Sequence, residues 1–400
     1  MLELEDAVAQ ILALTPKATG ELVPLINANR RTLSQSILSQ VDLPSFDNSA
    51  MDGYAVRASD VHDARPNQSV RLKLTGRIAA GENSSDTVQA GSCVRVFTGS
   101  ILPSGADAVV MQEDTTADQP NEILVKESVK PWENVRFKGE DVKQGSLLAD
   151  SGEVLGAGKL SLLAATGISE VQVGRQPRVA LLATGSELRE PGARLAPGQI
   201  YESNRAGLAV LLRDIGASPS MLPLIADTQE GVRAALDQAF NESDAVISSG
   251  GVSVGEMDFI KTALKDLGGQ VEFWRVAIKP GRPFVFGSCR NKLFFGLPGN
   301  PVSAFVTFLL LVRPALLRWQ GASGVSLPVC RGVLGERFAN PGNRRHFMRV
   351  KVDQNGQVFS AGKQGSHVLS SLGAANGLVD VSPGTALENG ASVQVLRWEP

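Results

Sequence analysis

Leu4, Ala7, Val8, Ile11 and Leu12 recur three or four residues apart, and Thr15-Pro16 ends the repeat, so the pattern predicts an amphipathic helix at the start. A second helical stretch is expected around "NANRRTLSQ". From about Tyr54 to Ala149 the texture changes to short strand-like runs, "VRLKLTG", "SCVRVFTG", "ADAVVMQE" and "NEILVKES", separated by Gly, Pro and Asn. These predict a β-rich insertion. "KLSLLAATGI" returns to a helical pattern and is expected to pack with the N-terminal segment as one discontinuous domain.

From Arg178 the period alternates between apolar strands and helices of ten or more residues, as in "RVALLATG", "NRAGLAVLLRDIGA", "DAVISSGG", "DFIKTALKDLG" and the helix beginning near Val302. Such alternation predicts a three-layer α/β domain with a mostly parallel sheet and helices on both faces. After "RWQGASGVSLP", the tail reads as short strands and turns, a barrel-like β domain. The map is therefore multidomain α/β plus β. Its parts are a linking domain (1–53 with 147–177), the β-rich insertion (54–146), the α/β domain (178–327) and the C-terminal β domain (328–400).

Composition narrows the class. The 400 residues are 43% hydrophobic and 20% charged, with a formal net charge of -2, as in a soluble globular protein. No basic excess points to nucleic acid. The acids of "MLELEDAVAQ" argue against a secretory signal, and "VSAFVTFLLLVRPALL", broken by Arg313 and Pro314, is read as a buried helix and not a membrane span. Cys93, Cys289 and Cys330 are scattered, which predicts a reducing, cytoplasmic setting without zinc or iron-sulfur sites. With three histidines in all, any metal is expected to be hard and oxygen-bound.

Ligands of an open parallel sheet bind beyond the carboxyl ends of its strands. The loops there carry Glu187 in "TGSEL", Asp227 in "ADTQE", Glu256 and Asp258 in "SGGVSVGEMD", and Asn300 in "GLPGNP". Gly250, Gly251 and Gly255 would let backbone amides cradle an oxyanion, although a tight turn with Asp258 as helix cap explains them equally well. "GLPGNPVSAF" forms a second candidate cradle, and "FWRVAIKPGRP" places Arg275, Lys279 and Arg282 between the two. "PSFDNSAMDGYAV" crowds Asp47, Asn48, Asp52 and Gly53 beside two aromatics, while Thr98, Asp107, Glu140 and Asp141 fall at other strand ends or turns. The basic tail run "RRHFMRVKV" reads by default as a solvated strand face, and "KQGSHVLSS" adds Ser366 and His367. No nucleophilic triad is apparent. The inventory suits metal-assisted handling of a phosphorylated or oxyanionic substrate.

Six ordered motifs, "PSFDNSAMDGYAVR", "TGSILPSGADAVVMQE", "RFKGEDV", "ISSGGVSVGEMDF", "AIKPGRPF" and "GLPGNPVSAF", closely resemble the molybdopterin molybdenumtransferases of the MoeA/gephyrin family. The resemblance implies insertion of molybdenum from molybdate into adenylated molybdopterin, dependent on Mg²⁺ and releasing AMP. It also implies an elongated homodimer of four-domain subunits, a MoaB/MogA-like α/β domain and a cleft built from both subunits. Its implied partners are the molybdopterin adenylyltransferase and other cofactor-assembly proteins, with no nucleic acid and no membrane. Carried onto this chain, Asp52, Thr98, Asp141, Glu187, Asp227 and Asp258 match catalytic positions, with Asp227 and Asp258 expected to hold the metal. Gly250, Gly251, Ser253, Arg275, Lys279, Arg282, Pro298, Asn300 and Pro301 match the substrate side, and Arg349 and Ser366 of the tail are expected to meet molybdate. Ser186 stands where the family often has an acid, and Arg275 where lysine is common. A gephyrin-like interaction scaffold and a nucleotide hydrolase on the same α/β domain are the competing readings.

Overall fold

The computed structural model describes residues 1–17, 19–83, 85–251 and 257–398, with the side chains of Asp118, Met257 and Asp258 outside that description. The chain divides into two compact units, one of residues 1–35, 150–160 and 170–400, the other of 36–149 and 161–169.

The first unit is organised by a six-stranded sheet. Its strands are β1 (Arg178–Ala183), β2 (Ser218–Met221), β3 (Ala245–Ser249), β4 (Gln270–Trp274), β6 (Val285–Cys289) and β7 (Lys292–Leu297), in the spatial order β2-β1-β3-β7-β6-β4. A short β5 (Ile278–Lys279) lies outside this sheet. The β2-β1, β1-β3 and β3-β7 pairs are parallel, and β6 runs antiparallel to both of its neighbours. The near-continuous apolar reading of β1 follows from burial on both faces. Val179 and Leu181 enter one core cluster, and Ala180 and Leu182 the other.

Helices α1 (Leu4–Leu14), α2 (Asn204–Asp214) and α5 (Pro301–Trp319) pack into the first cluster, and α3 (Gln229–Glu242) and α4 (Met257–Asp266) into the second. The expected three-layer sandwich is thereby formed. Leu4, Ala7 and Ile11 of α1 are buried at the spacing seen in the sequence. The long apolar run is α5, started by Asn300 and Pro301 and carrying a π-helical stretch at Phe308–Val312. It has the length and hydropathy of a membrane span, yet 78% of that window is buried inside the protein, as for a core helix.

The tail closes into a five-stranded barrel of β8 (Val329–Leu334), β9 (Arg345–Val352), β10 (Gln357–Ser360), β11 (Gly377–Val381) and β12 (Ser392–Leu396). The circuit runs β9-β10-β8-β12-β11 and back to β9, so no strand edge of the barrel is left open except where β5 adds in parallel to β9. A single short helix, α6 (Leu369–Ala374), follows β10.

The basic run "RRHFMRVKV" is a correction to the solvated-face reading: His346 to Val350 of β9 are all buried. Arg345 pairs with Glu5 and Asp380, and Arg349 donates to carbonyls of the 363–365 loop, so the charges are met by groups far away in sequence. A second correction concerns "NANRRTLSQ". Only a one-turn 3₁₀ segment, Leu25–Asn27, precedes a non-helical stretch in which Arg30 has φ of 63°. Leu33 donates its amide to Glu153 O, and Arg31 donates to Gly174 O at 2.7 Å, so pairing with residues more than a hundred positions away overrides local helical preference.

The second unit holds the expected β-rich insertion, a six-stranded sheet ordered 108–111, 53–56, 92–96, 70–78, 122–125, 115–119. Strands Ile37–Leu38 and Leu147–Ala149, placed by sequence in the linking domain, pair with each other inside this unit, whereas Gly20–Pro24 and Glu170–Gly174 pair inside the first. "KLSLLAATGI" overlaps the helix Ala157–Ala165, as expected.

Candidate active site

The chain leaves β1 through α2 to β2 on one side, then returns through α3 to β3 on the other. This reversal opens a crevice between the carboxyl ends of β1 and β3, the usual ligand position of an open α/β sheet. A cleft of about 590 Å³ lies there, lined by Thr184 and Glu187 after β1, Ser249, Gly250 and Gly251 after β3, and Gly299, Asn300 and Pro301 after β7. Glu202, Ser203 and Asn204 close it from the entry to α2, and His367 and Leu369 from the tail.

Asn204 clamps the two loops that the sequence singled out. Its Nδ2 donates to Ser249 Oγ at 2.7 Å and to Gly299 O at 2.8 Å. Gly250 has φ of 88°, and a Cβ there would stand 2.9 Å from the Thr184 carbonyl oxygen. The glycine therefore answers both a left-handed backbone and a close approach. Gly250→Ala is expected to cost about 1–3 kcal/mol, read as a lower midpoint in chemical denaturation.

Beside the cleft lies a second cavity of about 490 Å³, lined by Lys279, Arg282 and Arg344 together with Ser303, Gln364 and Ser366. Pro298 lines this cavity alone, while Asn300 lines both. Three cations thus share one small space. Arg344 is anchored by donating Nη1 to Ile278 O at 3.0 Å, and burial, then the charge of Arg282, lowers its pKa from the ordinary arginine value.

Arg349 is fully buried and supports this cavity from behind. Its Nε donates to Ser371 Oγ, and Nη2 to Lys363 O and Gly365 O, while Gln364 exchanges hydrogen bonds with its backbone. It therefore braces the loop that presents Gln364 and Ser366. Ser366 O in turn accepts from Val302 N at the start of α5.

Several expected residues stand apart. Arg275 is exposed at a left-handed bend with φ of 85° and lines neither cavity. Asp227, half-exposed just before the Thr228 cap of α3, also lines neither. Ser253 and the side chain of Asp258 lie outside the described residues.

In the second unit Asp52 and Thr98 meet. They flank paired strands, with Gly53 opposite Val96, and Thr98 donates its amide at 2.8 Å and its hydroxyl at 2.7 Å to Asp52 Oδ1. Those bonds, the amide first, hold the Asp52 carboxyl below the usual range, with help from Arg95. Asp141 is exposed in a turn whose amide donates to Leu43 O.

Arg344, Asn204 and Gln364 were not singled out from sequence. The signal for Arg344 was the basic run itself, which spacing alone cannot distinguish from a solvated face. Asn204 and Gln364 carry no local signature.

Family models match three stretches: the MoeA N-terminal region (domain I and II) at residues 2–167, a probable molybdopterin binding domain at 180–318, and the MoeA C-terminal region (domain IV) at 331–398. The molybdopterin molybdenumtransferase of Haemophilus influenzae is 41% identical over 382 residues, covering 94% of this chain and 93% of that protein. That of Bacillus subtilis is 34% identical over 400 residues, covering 98% and 93%. A molybdopterin biosynthesis MoeA protein from Pyrococcus horikoshii superposes over 99% of this chain and 100% of its own with a TM-score of 0.82 at 30% identity. With relatives this similar over nearly its full length, the chain belongs to the molybdopterin molybdenumtransferase family, enzymes of molybdenum cofactor biosynthesis.

Proposed function

We propose that this enzyme transfers molybdenum from molybdate to adenylated molybdopterin and releases AMP, with Mg²⁺ assisting. The observation that carries the reading is the pair of adjoining cavities with Asn300 in their common wall, one a switch-point cleft and the other rich in cations. The cleft suits an extended pterin nucleotide. The smaller cavity suits a compact dianion, which Lys279, Arg282 and Arg344 would attract and the Ser303 and Ser366 hydroxyls would orient.

Donors around the cleft fit a hard divalent cation. They are oxygens, from Glu187, Thr184 and Ser249, and Mg²⁺ commonly takes only one or two carboxylates when substrate phosphates supply the rest. Among the described residues no group of three His, Cys, Asp or Glu side chains stands together. Of the acids carried over from the family, Glu187 lines the cleft and would hold the cation, Asp227 lines neither cavity, and the side chain of Asp258 lies outside the described residues. When bound, the cation would neutralise charge developing on phosphate oxygens. The chain's own residues do the rest: Asn204 keeps the two loops at a fixed separation, and in the second unit the Thr98 bonds keep Asp52 ionised.

The same reading takes the protein as a homodimer. The second unit exposes Leu38, Val41, Phe46, Met51, Trp132, Phe137 and Leu147 by 40–56%, with the Trp132 and Phe137 rings 5.5 Å apart. Exposed apolar side chains of this kind support burial against a second copy.

The test supplies purified protein with adenylated molybdopterin, molybdate and Mg²⁺ and follows AMP and molybdenum cofactor together. Asp52→Asn is expected to lower the rate by about 100-fold while leaving substrate affinity within a few-fold. Equal AMP release without molybdate, or turnover of simple nucleotides, would instead identify a hydrolase.

A further inference from the structure

His346 is a buried titratable residue that the mechanism above does not use. It is 4% exposed on β9, directly opposite Lys279 of β5 in the strand register, and its Nε2 has no hydrogen-bond partner. A buried imidazole nitrogen without a partner is costly and calls for a role.

The charges around it are one-sided. β5 contributes Lys279, the turn before β9 contributes Arg344, and β9 itself contributes Arg345 and Arg349. β11, paired with β9, contributes one acid, Asp380, and Arg345 binds that acid as well as Glu5. Among the described residues no ion pair engages Lys279, Arg282, Arg344 or Arg349. The Nη1 of Arg349 is likewise buried without a partner. Burial first, then Lys279, Arg349 and Arg344, pushes the pKa of His346 down to about 4, so the free protein holds it neutral.

A dianion entering this cavity reverses the local field. It neutralises Lys279 and Arg344, two of the cations that, after burial, hold the imidazole uncharged. We propose that His346 is the positioning residue of the oxyanion cavity, taking a proton from solvent onto Nε2 when a doubly charged tetrahedral oxyanion seats beside Lys279 and Arg344. The inference rests on reading that cavity as an oxyanion site. The uptake adds one positive charge near a ligand carrying two negative ones, and so favours dianions over monoanions of equal size. No bond in the anion breaks.

The sign is checkable in the free protein too. Because the folded imidazole titrates below its unfolded value of about 6.5, its share of stability is full above that pH and is lost as pH falls towards about 4. A bound oxyanion should shrink that loss.

The experiment is calorimetric titration of the full-length protein in buffers of differing ionisation heat, from about pH 8 to about pH 5.5, with molybdate, sulfate and the monoanion perrhenate as probes. Wild type is expected to take up a fraction of a proton with either dianion, with affinity rising about three- to tenfold on acidification, and to take up none with perrhenate. His346→Gln is expected to bind within about twofold of wild type at the alkaline end, to lose the pH dependence and to take up no proton. Where His346→Gln fails to fold, the wild-type imidazole resonance in NMR supplies the readout, its titration moving to higher pH when sulfate is added.

Proton uptake unchanged in His346→Gln, or an imidazole resonance unmoved by millimolar oxyanion, would overturn the proposal. Sulfate-coupled uptake in a protein that forms no molybdenum cofactor would sink the transferase reading alone and leave this one standing.

Discussion

Arg205→Leu is expected to destabilise the first unit by about 3–5 kcal/mol, because it strands a buried carboxylate. Arg205 and Glu202 are 4% and 5% exposed, and they are joined twice: Arg205 Nε donates to Glu202 Oε2 at 2.9 Å and its amide to Oε1 at 2.9 Å. The remaining arms of the guanidinium reach Glu190 Oε1 at 2.7 Å and the Leu222 carbonyl. One side chain thus ties the 190 loop, the entry to α2 and the end of β2. Burial opposes its charge, yet the bonds to Glu190 and Glu202 raise its pKa further above the ordinary arginine value, so the cation is firmly kept. The double variant Arg205→Leu with Glu202→Gln should recover much of the loss, since no buried charge is then left alone. Denaturant midpoints of the two variants decide this. A double variant as unstable as the single one would mean that lost packing, not a stranded charge, sets the cost. Function should follow stability here, because Glu202, Ser203 and Asn204 are consecutive and all line the cleft.

The contrast between Arg205 and the glycine loop explains what sequence could and could not disclose. β1, β3 and α5 were legible because burial on both faces, or all round, demands uninterrupted apolar runs that any reader can count. The loops after β1, β3 and β7 were legible as a group because sheet topology places them together once a parallel order is assumed. The structure brings Glu187, Gly250, Gly251, Asn300 and Pro301 to one cleft, and Lys279, Arg282, Pro298, Asn300 and Ser366 to the cavity beside it.

What stayed hidden depended on partners distant in sequence. Arg31 looks like an exposed helix residue until Gly174 supplies the carbonyl that binds it, 143 positions away. Arg349 looks like a ligand contact, yet Ser371 and the 363–365 loop hold its Nε and Nη2 and only Nη1 is left without a partner. Arg275 is carried over from the family although lysine is common there, and at its left-handed bend it lines neither cavity, whereas Lys279, four residues on, lines one. Motif matching reads residue identity, whereas placement depends on backbone dihedrals and long-range hydrogen bonds.

Lys279→Glu should weaken molybdate binding by about 100-fold, and Lys279→Gln by about tenfold. At contact, with an effective dielectric near 20, one unit charge contributes up to about 4 kcal/mol to an opposite one. Lys279 is exposed, and solvent at the cavity mouth cuts that contribution to about 1.4 kcal/mol, a factor of about ten. Reversal replaces this attraction with a repulsion of similar size, which doubles the free-energy change. Arg282 and Arg344 remain in both variants, so binding should weaken without vanishing. Calorimetric affinities at low and high ionic strength separate electrostatics from shape. The gap between Lys279→Gln and wild type should narrow as salt rises, because screening acts on the lost Coulomb term and not on cavity volume. Nucleotide affinity in the adjoining cleft should stay within about twofold, since Lys279 does not line it. A Lys279→Glu protein that binds molybdate as tightly as wild type would place the oxyanion elsewhere and end the two-cavity reading. A loss confined to nucleotide binding would instead make the basic cavity part of the nucleotide site.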